Sequence, residues 1–324
     1  MRAIKYLDPK NDLTFRKIFG EHPNIMKSFL NSILPLEPNR HITELVYQDT
    51  AMLPELPELK HSIVDVRCTD NFGRQFIVEM QMYWTTSFKS RMLFNAGKAY
   101  IKQIDKGHKY NELCPVYGLS LVNDIFLTED EYKNQFYHHY RLAHHEIPDE
   151  IITGIELIFI ELPKFTAKTF TERKVRNLWL RFLTEIDENT KEVHTDLFSE
   201  QAITEALEQL QVSAFTKKEL AYYEKYWDGV RIERTALQDV IDKSKIKITE
   251  AQKREKEAQK REKEAQKREK EAQKREKEAQ KREKKIQNKL TKAINKMYKR
   301  GFTISEIAID FEISETKVKQ ILKI

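Results

Sequence analysis

Apolar and polar positions along this chain change period several times, and each change marks an expected boundary. Between residues 11 and 34 the apolar set Leu13, Ile18, Phe19, Ile25, Met26, Phe29, Leu30 and Ile33 recurs at helical spacing, and Pro35 favours a stop. Residues 42–50 alternate and predict a first strand, whereas 51–59 contain Pro54 and Pro57 and predict a loop. Two alternating runs, 62–70 and 74–81, flank Asn71-Phe72-Gly73. They predict a hairpin with a three-residue loop in which Gly73 supplies a positive φ. The helical period returns over 87–107 through Phe88, Met92, Leu93, Ala96, Tyr100, Ile101 and Ile104, with Gly107 as its stop. Residues 115–122 are almost continuously apolar, the pattern of a strand buried on both faces. Residues 126–150 are polar, and 151–162 predict another strand. From 171 onward the pattern is helical, first along Val175, Leu178, Trp179, Phe182, Leu183 and Ile186, then near 199–211, 216–228 and 230–248. This order predicts an α/β fold, a mixed sheet flanked by helices.

Each strand of the predicted hairpin carries one carboxylate where an apolar residue would fit. If Asp70 pairs with Arg74, counting back places Asp65 opposite Glu79. Cross-strand neighbours on one face have Cβ atoms roughly 4.5–5.5 Å apart. Two carboxylates that close stay ionised together only with a cation between them. Gln81 points to the face of Glu79 and can add an oxygen, and three converging oxygens suit a hard divalent cation, Mg²⁺ or Mn²⁺. Taken singly, each acid also reads as an edge-strand charge that blocks aggregation. Cys68 follows Asp65 by three residues, so it falls on the opposite, apolar face and is expected in the core.

The hairpin resembles the centre of the PD-(D/E)XK nucleases, in which an Asp and a Glu-x-Lys element on adjacent strands bind Mg²⁺. Asp65 matches the first element and Glu79-Met80-Gln81 the second, with Gln81 where the lysine usually stands and Val64, not proline, before Asp65. The segments Asn11-Asp12-Leu13-Thr14-Phe15-Arg16-Lys17-Ile18-Phe19-Gly20, Gly107-His108-Lys109-Tyr110, Pro115-Val116-Tyr117-Gly118-Leu119-Ser120 and Gly154-Ile155-Glu156-Leu157-Ile158-Phe159-Ile160-Glu161-Leu162-Pro163-Lys164-Phe165 are similar to the Rpn-type recombination-promoting nucleases, a PD-(D/E)XK transposase family. The resemblance spans roughly the first two-thirds of the chain. It implies a restriction-endonuclease-like core and a Mg²⁺-dependent DNA endonuclease.

On that reading Asp65 and Glu79 hold the metal, and Gln81 either completes its shell or positions water. The cation role of the usual lysine passes to metal or to a basic residue of the helix over 87–107. Lys89, Arg91, Lys98 and Lys102 are the candidates, with Arg91 and Lys98 foremost. Asp12 either caps the first helix or lends a carboxylate to the metal. Arg16 and Lys17 either face phosphate or are solvated. His138, His139, His144 and His145 have no zinc-ligand spacing and read as surface histidines.

The chain continues past this core. Residues 250–284 repeat Glu-Ala-Gln-Lys-Arg-Glu-Lys five times. A heptad is the coiled-coil period, but alanine is its only apolar residue, so association between helices should be weak. Ala, Glu, Lys, Arg and Gln are strong helix formers. The segment therefore predicts a solvated helix about 50 Å long, either a spacer or an expanded repeat without a role. Beyond it, 290–324 predicts three short helices. They resemble a helix-turn-helix, with Lys317 and Lys319 on the DNA-facing helix, or else a hairpin that merely packs.

The expected division is a nuclease core at 1–165, a helical accessory region at 166–249, the repeat at 250–284 and the helix-turn-helix-like unit at 285–324. With 324 residues and a net charge of +6, a polyanion partner is allowed but not demanded, because the charge concentrates in the repeat. Two cysteines exclude a disulfide framework and fit a reducing compartment. No segment is long and apolar enough for a signal peptide or membrane span, so a cytoplasmic protein with no membrane partner is expected. The oligomeric state stays open, with a homodimer through the core as one option. The alternatives to a recombination endonuclease are an inactive nuclease-fold DNA- or protein-binding module of a mobile element, and a phage-defence nuclease.

Overall fold

The computed structural model describes residues 5–52, 62–104, 109–166 and 174–324. They divide into two units, up to Leu237 and from Gln238 onward.

The first unit opens with α1 (Asp12–Glu21) and α2 (Pro23–Ile33), where the apolar period alone predicts one helix. His22 is extended (φ −119°, ψ 93°) because the following Pro23 disfavours helical backbone before it, and Pro23 then starts the new helix. The predicted first strand contracts to β1 (Leu45–Tyr47). It is followed by β2 (Ala51–Met52) and β3 (Ser62–Ile63), which pair with each other. Pro54 and Pro57 lie outside the described residues.

The hairpin is β4 (Val66–Asp70) and β5 (Gln75–Gln81). Gly73 has φ 76°, the Asp70 amide donates to the Arg74 carbonyl at 3.1 Å, and Val66 pairs with Val78. This is the register counted from the loop. Arg74 and Asp70 form a buried ion pair at 2.6 Å that fixes the turn. Next come α3 (Phe88–Ile101), β6 (Val116–Val122), β7 (Tyr137–Ala143) and β8 (Ile151–Glu161). The sheet order is β1-β4-β5-β6-β8-β7, with β5, β6 and β8 parallel and the outer strands antiparallel. Every residue of β6 is buried, Ser120 included, as its almost continuously apolar run predicts.

Strand β7 falls in the stretch that reads only as polar. It is an edge strand whose side chains are mostly exposed, so no apolar alternation announces it. The reading of four surface histidines fails at His138, which is buried and bonded to Glu161. The end of the helix predicted over 87–107 falls partly outside the described residues, at Gly107.

Side chains alternate across β5. Phe76, Val78 and Met80 enter one core with α1 and α2, while Ile77 joins Phe88, Met92 and Ala96 of α3 on the other face. Helices α4 (Lys174–Glu185) and α5 (Gln201–Gln209) belong to the first of these cores through Trp179, Phe182 and Ile203. So does Tyr223 of α6 (Lys217–Lys299), a continuous helix where two are predicted over 216–228 and 230–248. Gly229 costs only about 1 kcal/mol in a helix, too little to break one that is continuous on both sides.

In the second unit the repeat is helical and its side chains are exposed throughout. Gln259, Gln266, Gln273 and Gln280 each bond the glutamate four residues earlier. Gly301, at φ 94°, follows the end of α6. Thr303 and Glu306 form a capping box at α7 (Ile304–Asp310), and Ser314 caps α8 (Glu315–Leu322). Ile294, Ile307 and Val318 close a small separate core.

Candidate active site

Strand β5 runs past the point where β4 begins. On its β4 side the Met80 amide therefore has no ladder partner, and a buried amide needs an acceptor. Asp65, in the bend before β4, supplies one: its Oδ2 accepts from Met80 at 2.7 Å. Its Oδ1 lies 3.2 Å from an Arg16 terminal nitrogen, and Arg16 Nε lies 2.8 Å from Asp12 Oδ1 one turn earlier on α1. Burial pushes the Asp65 carboxyl above its ordinary pKa, the Met80 amide and Arg16 oppose that rise, and Asp12 adds to it.

Glu79 is buried on the α3 face of β5. Asn95 Nδ2 donates to its Oε1 at 3.0 Å, and Arg91, one turn earlier on α3, lies 3.3 Å from its Oε2. The same Arg91 nitrogen donates to Gln81 Oε1 at 2.7 Å, while Gln81 Nε2 donates to the Tyr83 carbonyl at 2.7 Å. Burial raises the Glu79 pKa, with the Asp65 charge adding to the rise and Arg91 and Asn95 opposing it.

Ser120 pairs with Glu79 in the β5–β6 ladder, and its Oγ is buried without a hydrogen-bond partner. Asn95 Oδ1 is in the same condition. Each is a buried polar atom whose bonding capacity a water or an ion would meet. Among the described residues no three His, Cys, Asp or Glu side chains gather as a metal-ligand group. The available donor set is two carboxylates and an amide oxygen, all hard ligands, and a cationic side chain already spans two of them. Those residues fit a divalent cation.

The site residues expected from sequence divide accordingly. Glu79, Gln81 and Arg91 come together through hydrogen bonds, and Asp65, bonded to the amide of the intervening Met80, is near enough for its charge to act on Glu79. Asp12 does not cap α1, because Asn11 does, and its contacts are to Arg16 and, at 3.5 Å, to the Tyr222 hydroxyl. Lys98 donates to the Met52 carbonyl at 2.6 Å. Lys89 bonds the Tyr140 hydroxyl and lies over the rings of Trp84, Phe126 and Tyr140. Lys17 bonds the Ala214 carbonyl and Glu219, so it buttresses the start of α6. Lys317 and Lys319 are exposed on α8 on either side of buried Val318, about 200° apart around the helix axis.

Two contributors escape sequence reasoning. Asn95 is readable only as the residue four after Arg91, on the same helical face. The first turns of α6 are invisible because they are distant in sequence. Tyr222 reaches Asp12, the Tyr83 hydroxyl donates to the Val230 carbonyl at 3.2 Å, and burial raises the Tyr226 pKa with Asp12 and Asp65 adding to it.

The fold is the α/β fold that the family resemblance implies. The model of the PD-(D/E)XK nuclease family transposases matches residues 9–237, and the chain belongs to that family. No curated protein and no solved structure matches it.

Proposed function

We propose that the protein is a divalent-cation-dependent endonuclease that hydrolyses DNA phosphodiester bonds in recombination. The observation that carries this reading is half-buried Asp65, bonded to the Met80 amide between Glu79 and Gln81, next to buried Glu79 and the Gln81 oxygen, with Arg16 and Arg91 paired to the two carboxylates. Asp65 and Glu79 would hold Mg²⁺ or Mn²⁺. When bound, such an ion acidifies water and offsets charge on the scissile phosphate. Gln81 positions water or adds an oxygen ligand. Arg91 meets the negative charge that develops on phosphorus-bound oxygens. Asn95 and the Met80 amide hold the two carboxylates in place. The C-terminal helices would add DNA affinity through Lys317, Lys319 and the basic residues Lys292, Lys296, Lys299 and Arg300.

The test is supercoiled plasmid incubated with purified protein in Mg²⁺ or in EDTA. Nicking by the wild type in Mg²⁺ alone, lost in Asp65→Asn and in Glu79→Gln, supports the reading. Nicking that survives EDTA or both substitutions overturns it. A second reading is favoured by one observation: Gln81 stands where the usual lysine would, and Arg91 already neutralises Glu79. On that reading the core binds DNA without cutting, and the same plasmid is shifted on a gel but never nicked.

A further inference from the structure

Arg91 holds the oxygens that a metal ion would need. One of its terminal nitrogens lies 3.3 Å from Glu79 Oε2 and 2.7 Å from Gln81 Oε1. We propose that Arg91 is a built-in competitor for the divalent cation, a positioning residue that must leave Glu79 and Gln81 before the ion can bind there. The inference rests on the metal-site reading above and adds to it an order of occupancy.

The geometry separates Arg91 from Asn95, although both reach Glu79 from the same face of α3. Asn95 is neutral and buried, and it grips the other oxygen, Oε1, at 3.0 Å. It can stay when a cation arrives. Arg91 cannot, because its N–H groups point at the lone pairs that would face the ion, and its positive charge repels a second cation at such short range. Its side chain is 46% exposed, so the guanidinium has solvent to move into when it leaves the two oxygens.

Asp65 is placed differently. It has the Met80 amide as a fixed donor, and its arginine is shared with Asp12. Competition therefore concentrates on the Glu79–Gln81 side. A phosphate entering the site would attract the displaced guanidinium, so DNA and metal should favour one another's binding, and linkage makes that coupling reciprocal.

The experiment is calorimetric titration of the full-length protein with Mn²⁺ in the absence of DNA, for the wild type, Arg91→Met, Arg91→Lys and Asp65→Asn. Arg91→Met should bind Mn²⁺ about tenfold more tightly, the equivalent of removing one charge-assisted hydrogen bond. Arg91→Lys, which keeps a charge but not the fork, should fall between the two. A merely structural arginine gives the opposite sign, because its removal would loosen Glu79 and weaken the ion. Wild-type binding that is unchanged or weakened in Arg91→Met overturns the inference and leaves the nuclease reading standing. Absence of Mn²⁺ binding by the wild type, or binding indifferent to Asp65→Asn, overturns the metal site itself and the inference with it. Near-ultraviolet circular dichroism of each variant establishes that the fold is retained.

Discussion

The carboxylate of Asp65 accepts the amide of Met80 at 2.7 Å, taking the place of a backbone carbonyl in the ladder between two strands. Asp65 therefore has a structural task as well as its proposed chemical one, and two substitutions separate them. Asp65→Asn keeps an oxygen for the Met80 amide and removes a half-buried charge. It should unfold in urea at or above the wild-type midpoint in the absence of metal. Asp65→Ala leaves the amide without its partner and should be less stable than Asp65→Asn by about 1–3 kcal/mol. Nicking should disappear in both. Equal stability of the two variants would mean that the Met80 hydrogen bond contributes nothing.

Acid should destabilise the first unit through His138. Its Nε2 lies 2.8 Å from Glu161 Oε1, which also receives Lys164 at 3.0 Å, while Glu161 Oε2 accepts the Phe126 amide. Burial lowers the His138 pKa below its ordinary value, the Glu161 contact opposes this, and Lys164 and Lys89 reinforce it. The folded protein thus holds the proton less well than the unfolded chain. The contribution is present above the ordinary histidine pKa of about 6.5 and is lost as pH falls below it, by up to about 1.4 kcal/mol per pH unit. Urea midpoints between pH 7.5 and 5.5 should fall more steeply for the wild type than for His138→Gln, which keeps a polar partner and does not titrate. Parallel slopes would refute the assignment.

Gly118 is required by space. A Cβ there would lie 2.8 Å from Leu157 Cδ2 and 3.0 Å from Met92 Sδ, between the sheet and α3. Gly118→Ala should cost about 1–3 kcal/mol, the range for overpacking a dense core. Because α3 carries Arg91 and Asn95, the same substitution should weaken Mn²⁺ binding. A calorimetric titration of the folded variant that matches the wild type would show that α3 absorbs the added methyl without moving those two side chains.

Deleting 285–324 should weaken DNA binding and flatten its dependence on salt, since a protein that neutralises fewer phosphates releases fewer counterions. Nicking at saturating DNA should persist, because Asp65, Glu79 and Gln81 are untouched. The helices removed close their own core around Ile294, Ile307 and Val318. Filter binding at several salt concentrations that returns identical slopes for both proteins would make this unit a protein-binding element instead.

Much of this molecule is legible in the sequence because its central strands are extreme cases. The almost continuously apolar run of β6 and the loop ending in Gly73 point to a buried strand and a hairpin register without any structure. The same register brings Asp65 and Glu79 to neighbouring strands. What the register cannot convey is that β4 stops short, so that Asp65 turns from ladder partner to side-chain acceptor. Edge strand β7 is hidden by its polar face, and buried His138 with it, because the fold supplies Glu161 from a strand more than twenty residues away. The split between α1 and α2 is available in principle from Pro23. The approach of Tyr222 and Tyr226 to Asp12 and Asp65 is not, since it joins segments about two hundred residues apart in sequence.

The exposed repeat gives α6 an unusual kind of adjustability. One copy of seven residues adds about 10 Å of helix and turns everything after it by only about 20°, because seven residues fall just short of two full turns. Gaining or losing a copy would therefore shift the C-terminal helices along the axis in uniform increments while hardly changing the direction they face. No buried packing is disturbed, since the repeat's side chains all face solvent. Length and direction thus change at very different rates: each copy that distinguishes related chains would add about 10 Å of helix and about 20° of turn, so the rotation builds up only slowly over a series.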